Sequence, residues 1–217
     1  MKINADLSER AVVNSEDLDW APSPAAGVER RMLDRDGDEV ARCTTIVRFA
    51  PGSDFPAHEH GGGEEFLVLD GVFSDENGDY PEGTYVHHPV GSHHTPASRD
   101  GCTLLVKLHQ MNPADQETVV VDTRSTPWQA GRAEGLETME LHEFNGERSY
   151  LARFDPGIQC PHHDHPGGEE ILVLEGTLHD EDGRYTKGTW IRHPAGSEHA
   201  PYSDEGCTLF VKTGHLR

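Results

Sequence analysis

The stretch GSDFPAHEHGGGEEFLVLDG at residues 52–71 returns as GIQCPHHDHPGGEEILVLEG at residues 157–176, with twelve of the twenty positions identical. The offset is 105 residues (157 − 52), and the same offset relates GTYVHHPVGSHH at 83–94 to GTWIRHPAGSEH at 188–199. Self-similarity at a fixed spacing is the signature of a duplicated structural unit. The sequence therefore predicts two equivalent domains.

The limits of the two copies follow from the wider alignment. Upstream of the repeat the offset becomes 108, so that Val119–Asp122 corresponds to Ala11–Asn14. The second copy is therefore three residues shorter between this segment and the repeated stretch. We predict a first domain at residues 1–112 and a second at 113–217, sizes that suit a chain of 217 residues. The joint, MNPADQET, is short and polar, which favours close packing of the two halves.

The local pattern in each copy is that of β-strands. Apolar and β-branched runs of four to eight residues alternate with clusters of Gly, Pro, Asn and Asp, and no amphipathic helix of useful length is present. Short strands separated by turns at regular spacing predict an all-β sandwich or barrel. The clearest strands are 44–49, 65–69, 84–88 and 103–108, and the clearest turns are 75–79 and 180–184.

Charge and composition exclude several classes of function. The chain has 18 Lys and Arg against 39 Asp and Glu, a net charge of −21. This disfavours nucleic acid as a partner, which requires a basic surface, and equally an anionic membrane surface. No apolar run approaches the roughly 18 residues of a membrane helix. The first residues, MKINADLSER, have no apolar signal segment, so we expect a cytoplasmic location.

Histidines and a glutamate within the repeat form a candidate metal site. His58 and His60 share one face of a strand, and the three glycines that follow allow a tight turn that returns Glu64 to the pair. His94 lies thirty residues further on. Three imidazoles and one carboxylate suit Zn, Fe(II), Mn, Ni or Co. The second copy offers the same set at identical spacing: His163, His165, Glu169 and His199.

The choice of carboxylate is open from the residues alone. Glu65 follows Glu64 and Glu170 follows Glu169, and adjacent residues of a strand face opposite sides of the sheet. Both faces of this strand carry apolar residues, so polarity does not choose between Glu64 and Glu65. The same spacing occurs twice in register, which raises metal binding far above what a lone His-x-His pair would support.

At these residues the sequence resembles the cupin superfamily. Its first motif, G-x5-H-x-H-x3/4-E-x6-G, and its second, G-x5-P-x-G-x2-H-x3-N, are both present in each copy. The last position departs from the pattern, because Ser98 and Ser203 stand where the motif has Asn. The resemblance implies a jelly-roll barrel in each half, with one metal at its mouth. Its spacing to the closing glycine favours Glu64 and Glu169 as the carboxylate ligands.

The finer resemblance is to the cupin domain of the ChrR anti-sigma factors, with acetylacetone-cleaving dioxygenases next. It implies one divalent metal per domain, zinc first, with iron, manganese or nickel as alternatives. ChrR proteins hold their sigma factor with an additional helical domain carrying a His-x3-Cys-x2-Cys signature. No Cys precedes Cys43 and no His precedes His58. We therefore do not expect sigma-factor binding.

Other recurring residues have less specific roles. His88 and His193 precede a proline in each copy, and a structural role at a strand end is favoured over a contact with a ligand. His87 is not repeated and is expected at the surface or rim. Arg48 and Arg153 recur and are expected to face outward.

Two functions of different classes fit these observations. The first is a metal-holding sensor or binding protein that responds to a small molecule or an oxidant. The second is an iron-dependent dioxygenase, or a related enzyme, acting on a small oxygenated substrate. No catalytic acid or base can be named from the sequence. The expected partner is a small-molecule ligand or substrate, and the chain is expected to be a monomer or a homodimer.

Overall fold

A computed structural model describes residues 1–216. The chain forms two compact units: Met1–Ala5 with Leu18–Ser125, and Asp6–Asp17 with the chain from Thr126 onward. Each unit is built of β-strands, and the predicted all-β architecture is confirmed. The units differ from the contiguous halves 1–112 and 113–217, because each includes a short segment from the other half of the sequence.

The strands of the first unit include every one that the pattern predicted there. They are Lys2–Ile3, Ala21–Pro22, Val28–Gly37, Ala41–Phe49, Ser53–Asp54, His58–Glu59, Glu64–Asp75, Gly78–Pro81, Thr84–His88, His93–His94, Ala97–Ser98, Cys102–Leu108 and Val119–Asp122.

The second unit repeats this series and adds one turn of 3-10 helix at Ser15–Asp17. Its strands are Ala11–Asn14, Gln129–Ala130, Leu136–Phe144, Glu147–Phe154, Ile158–Gln159, His163–His165, Glu169–Asp180, Gly183–Thr186, Thr189–His193, Ser197–His199, Tyr202–Ser203 and Cys207–Thr213.

One long strand organises each barrel. In the first unit, Glu64–Asp75 pairs along its first half with Cys102–Leu108 on one side and Thr84–His88 on the other. Its second half pairs antiparallel with Gly78–Pro81 after the predicted turn. A strand that changes partners in this way carries the chain from one sheet to the next and curls the whole into a jelly roll.

Glycine is required where this strand bends. Gly71 has φ +76°, and a Cβ there would lie 2.2 Å from the carbonyl oxygen of Gly101. Gly176 repeats the feature with φ +71° and a distance of 2.1 Å to the Gly206 oxygen. Such distances are far below van der Waals contact, so any other residue forces the two strands apart.

The edge of each sheet is completed by the other half of the sequence. Val119–Asp122 pairs with Thr84–His88 in the first unit, with Tyr85 opposite Val121. Ala11–Asn14 pairs with Thr189–His193 in the second unit. These added strands cover main-chain groups that an open sheet edge would leave unpaired.

Aromatic and aliphatic side chains fill each barrel. In the first unit Phe66, Phe73 and Leu104 belong to a cluster of buried residues, and in the second Ile171 and Leu209 belong to its counterpart. All four cysteines are buried as free thiols. Within residues 1–216, no helix has the length and the apolar character that crossing a membrane requires.

The recurring arginines lie on the outside of the barrels, as expected. The Arg48 guanidinium lies 4.2 Å from the centre of the Trp20 ring and 2.6 Å from Glu29 Oε2. Arg153 lies 4.4 Å from the Trp128 ring and pairs with Glu137. Each arginine is therefore held between an aromatic ring and a carboxylate, at a stacked geometry that lysine could not reproduce.

Candidate metal centres

The first centre is assembled by a two-stranded pairing and a tight turn. His58 lies opposite His94 in the antiparallel pair formed by His58–Glu59 and His93–His94. Gly63 has φ +72°, and its N–H donates to the His60 carbonyl at 3.1 Å. This is the turn that the glycines predicted, and it brings Glu64 back beside His60.

Three of the four residues predicted for the first centre, His60, Glu64 and His94, face one another closely. Glu64 Oε2 lies 3.4 Å from His60 Nε2 and 3.5 Å from His94 Nε2. The His58 ring centre lies 4.8 Å from that of His60 and 5.1 Å from that of His94. The ligand atoms of His60, Glu64 and His94 lie within 4.8 Å of one another, together with one from His88, and the His58 ring lies beside this group.

The second centre brings together the corresponding residues. His165 Nε2 and His199 Nε2 lie 3.1 Å apart, and each is 3.4 Å from Glu169 Oε2. The His163 ring centre lies 4.8 Å from the ring centres of both other histidines. The ligand atoms group differently from those of the first copy: His163, His165 and His199 form one close group, and Glu169 and His199 form another with His193.

The donor atoms fit a bound metal ion. Among the described residues, His60 Nε2, His94 Nε2, Glu64 Oε2 and Glu169 Oε2 are buried without a hydrogen-bond partner. Two ligands that each lie about 2.0–2.2 Å from one ion are separated by about 3.0–3.5 Å. The observed separations of 3.1–3.5 Å fall in this interval. A divalent cation would satisfy atoms that otherwise have no partner.

The neighbouring glutamates face away from the imidazoles. Glu65 Oε2 accepts a hydrogen bond from Tyr85 Oη at 2.7 Å. Glu170 accepts one from Trp190 Nε1 at 3.1 Å and one from His215 at 3.2 Å. Of each adjacent pair, Glu64 and Glu169 therefore lie among the histidines, in the orientation that the cupin resemblance implies.

Burial keeps the imidazoles in the form that binds metal. Burial is the main cause that lowers the pKa of His60, to about 4. In the second centre, burial first and then the adjacent His199 and His163 lower the pKa of His165 to about 3. A neutral imidazole offers a lone pair, whereas a protonated one cannot coordinate a cation. Both residues are therefore neutral at physiological pH.

The two carboxylates differ in acidity. Burial favours the protonated form of Glu64, but the polar contact from His88 Nδ1 at 3.6 Å and the charges of His60 and His94 outweigh it, lowering its pKa to about 2. Burial dominates at Glu169 and raises its pKa to about 7. A carboxyl must lose its proton to coordinate a metal. Metal uptake at the second centre is therefore expected to release more protons.

An outer carboxylate orients one histidine in the first centre and lies near its counterpart in the second. His94 Nδ1 donates to Asp75 Oδ2 at 3.2 Å, and His199 Nδ1 lies 4.0 Å from Asp180 Oδ2. A carboxylate behind an imidazole fixes the ring and leaves Nε2 as the coordinating atom. The sequence interpretation assigned Asp75 and Asp180 only to turns, although they recur at the offset of 105 that relates the other ligands.

The main chain orients a second histidine. His58 Nδ1 donates to the Pro56 carbonyl at 2.9 Å, and His163 Nδ1 donates to the Pro161 carbonyl at 2.8 Å. A carbonyl oxygen can only accept, so Nδ1 carries the proton and Nε2 is free to coordinate. The tautomer of these residues is thus set before any metal binds.

His88 and His193 lie closer to the centres than the sequence interpretation favoured. Both are buried, and their ring centres lie 5.3 Å and 4.7 Å from those of His94 and His199, respectively.

His87 also differs from its expected position: it is buried, and its Nε2 lies 3.3 Å from Asp115 Oδ2. The expectation that His87 lies at the surface is wrong, because a partner distant in sequence covers it.

Removal of the outer carboxylate tests its role. We expect Asp75→Asn to weaken metal binding in the first barrel by about 10–100-fold, since partners of this kind contribute that much to metal affinity. Titration against a competing chelator measures the effect. Asp79→Asn is the matched control, because Asp79 accepts from Ser74 Oγ in the exposed part of the same turn. Equal affinities in the two variants would contradict the assignment.

The fold and the convergent histidines define a class: jelly-roll barrels that carry a candidate metal site of three histidines and a glutamate. The chain belongs to the family of the ChrR cupin-like domain, whose profile matches it twice, over residues 8–112 and 116–217. Both barrels are thus cupins, and the chain is a bicupin. A search of curated proteins finds no match.

Solved structures show the same fold at low sequence identity. A candidate dioxygenase from Nostoc punctiforme aligns with a TM-score of 0.81 and 17% identity, covering 96% of this chain and 84% of that one. A candidate glyoxylate-induced protein from Pseudomonas aeruginosa aligns at 0.76 and 15%, covering 96% and 90%. A mutant of Bacillus subtilis oxalate decarboxylase aligns at 0.66 and 14%, covering 95% and 78%. At these identities the similarity concerns the fold alone.

Proposed function

We propose that each barrel holds one divalent metal through three histidines and one glutamate. The observation that carries this proposal is the close approach of buried imidazole nitrogens and a glutamate oxygen at 3.1–3.5 Å in both centres, with His60 Nε2, His94 Nε2, Glu64 Oε2 and Glu169 Oε2 otherwise unpartnered among the described residues. The first ion would be held by His58, His60, Glu64 and His94. The second would be held by His163, His165, Glu169 and His199. Zinc is the metal that the family relation favours.

The role proposed for the metal-loaded chain is to bind a small molecule or respond to an oxidant. Two features support it: membership of the ChrR cupin-like family, and a cavity in the second unit of about 410 Å³ that reaches His163, Glu169 and His199. A ligand in that cavity would lie beside the metal and would alter its surroundings. The metal would supply a Lewis-acidic centre there.

An iron-dependent dioxygenase is the second candidate. The same cavity favours it, because a volume of about 410 Å³ accommodates a small organic substrate together with dioxygen. The apolar walls, including Ile171 and Leu209, would exclude bulk water from the reacting atoms. The likeness to the Nostoc candidate dioxygenase agrees with this alternative at the level of the fold.

Metal content separates the two candidates. We expect two metal ions per chain by elemental mass spectrometry, on protein purified anaerobically without an affinity tag. Two zinc ions support the sensor or binding role. Two iron ions, with consumption of dioxygen when small oxygenated substrates are supplied, support the dioxygenase. Protein that retains its fold but binds no divalent ion, even after incubation with zinc or iron, would overturn the metal proposal.

A further inference from the structure

The cavities that reach the predicted ligands differ in size. The one lined by His163, Glu169 and His199 in the second unit encloses about 410 Å³, and the one lined by His58, Glu64 and His94 in the first encloses about 180 Å³. A separate cavity of about 650 Å³ in the first unit reaches His88 but none of the predicted ligands. Sites for small organic ligands usually measure about 300–1,000 Å³. Of the two cavities that reach the predicted ligands, only the one in the second unit therefore has the room that such a ligand needs.

A longer hairpin borders the first cavity. The strands Val28–Gly37 and Ala41–Phe49 are joined by a tip that contains Glu39, and the first copy has its three additional residues between the start of the first strand and the end of the second. Two arginines line this cavity. Arg30 donates to Glu39 Oε2 at 3.1 Å, and Arg35 donates to the backbone oxygen of Glu39 at 3.2 Å. Both guanidinium groups are therefore engaged by the hairpin tip.

The second cavity has an arginine without a carboxylate. Arg132 lines it, and the equivalent position of the first copy is Pro24, at the offset of 108. Within residues 1–216, no acidic side chain pairs with the Arg132 guanidinium. By contrast, the nearby Arg148 is neutralised by Glu140 at 2.5 Å. Arg132 lines the cavity from an exposed position, and its charge acts on the buried Glu169 without forming an ion pair with it. Such a guanidinium is a candidate site for an external anion.

The rest of the lining adds a hydrogen-bond donor and an apolar wall. Tyr150 lines the cavity, and within the described part of the chain its hydroxyl has no hydrogen-bond partner. A phenol has an ordinary pKa of about 10, so the hydroxyl keeps its proton at neutral pH and can donate. Leu136, Ile171 and Leu178 supply the apolar wall. A cation and a neutral donor beside an apolar wall match a carboxylate with a short hydrocarbon body.

We propose that the second barrel is the ligand-binding barrel of this chain, and that it takes one small carboxylic acid anion, held by Arg132 and Tyr150 with its hydrocarbon part against the apolar wall. The first barrel, whose cavity is smaller and is bordered by the Glu39–Arg30 pair, keeps its metal centre as a structural site. The inference deepens the proposed binding function and rests on it for the presence of the metals.

The test uses hexanoate as the probe and the full chain as the protein. Isothermal titration calorimetry should give one hexanoate per chain, with affinity rising by up to about fourfold for each methylene added from acetate to hexanoate. Arg132→Gln should weaken binding at least tenfold, because a charge-assisted pair is lost. Arg30→Gln, the matched change in the first cavity, should leave binding within twofold. The neutral hexanamide should not bind measurably.

Three results would overturn the inference: no hexanoate binding to the metal-loaded protein, two hexanoates per chain, or unchanged affinity in Arg132→Gln. Metal content is measured on the same samples, so that a failure of the metal proposal can be distinguished from a failure of the proposed carboxylate binding. Fewer than two metals per chain would contradict the proposed function, whereas the dependence of hexanoate binding on Arg132 decides this inference in either case. Circular dichroism of both variants confirms that each retains the β fold.

Discussion

Replacement of His58 by Ala is expected to lower the metal content from two ions per chain to one after dialysis against a chelator, and His163→Ala should do the same in the second barrel. A structural zinc site is stabilised by roughly 10–16 kcal/mol, about 3 kcal/mol for each of four ligands, so each loss weakens binding on the order of 100-fold. The double variant should bind almost no metal. Elemental mass spectrometry measures each case.

Two control variants make this result specific. His93→Ala removes an exposed imidazole next to His94 and should retain both metals. His88→Ala removes a buried imidazole whose Nδ1 lies 3.6 Å from Glu64 Oε2, and it tests whether His88 rather than His58 completes the first set. Loss of metal in His88→Ala with two metals retained in His58→Ala would reassign the ligand. Full metal content in the double variant would contradict the proposed sites altogether.

Replacement of Gly71 by Ala is expected to cost at least about 4 kcal/mol, the range reached only by severe steric or packing defects. The added Cβ would lie 2.2 Å from the Gly101 oxygen, and both atoms belong to paired backbone that cannot move without separating the strands. For a domain of about 100 residues this corresponds to a fall in the melting temperature of roughly 15 °C or more. Scanning calorimetry of the purified protein provides the measurement.

Gly52→Ala is the matched control for this loss. Gly52 has φ +75°, almost the same as Gly71, but no atom lies within 4 Å of its added Cβ. Its cost is therefore the backbone strain alone, about 1–2 kcal/mol. The difference between the two variants isolates the steric overlap. If both substitutions destabilise the protein equally, the close approach at Gly71 does not govern its stability.

The repeated stretches 52–71 and 83–94, with their copies 157–176 and 188–199, predicted two β domains and a cluster of histidines and glutamate within each. The cupin resemblance added the jelly-roll barrel. Ligand spacing is local information: a strand pair, a glycine turn and a strand thirty residues later place His58, Glu64 and His94 together by short-range geometry. The identity of the ligands themselves stays a prediction until metal content is measured.

Features that depend on distant residues were not predictable in the same way. In each unit the edge strand comes from the other half of the sequence. In the second unit this pairing joins residues more than 170 positions apart, such as Val13 and Trp190, and no local pattern encodes it. The burial of His87 depends in the same way on Asp115, which comes from the segment joining the two copies. No sequence pattern singled out Arg132 as a candidate binding residue, because it is not repeated and only the folded barrel shows that it lines a cavity.

The contribution of an edge strand from the other half of the sequence affects the order in which the two sheets can form during synthesis. The edge strand Val119–Asp122 leaves the ribosome about thirty residues after its partner Thr84–His88, so the first sheet can be completed early. Ala11–Asn14, by contrast, is synthesised about 175 residues or more before its partner Thr189–His193. The second sheet can therefore be completed only much later than the first, and faster elongation shortens the time for which this strand lacks its partner.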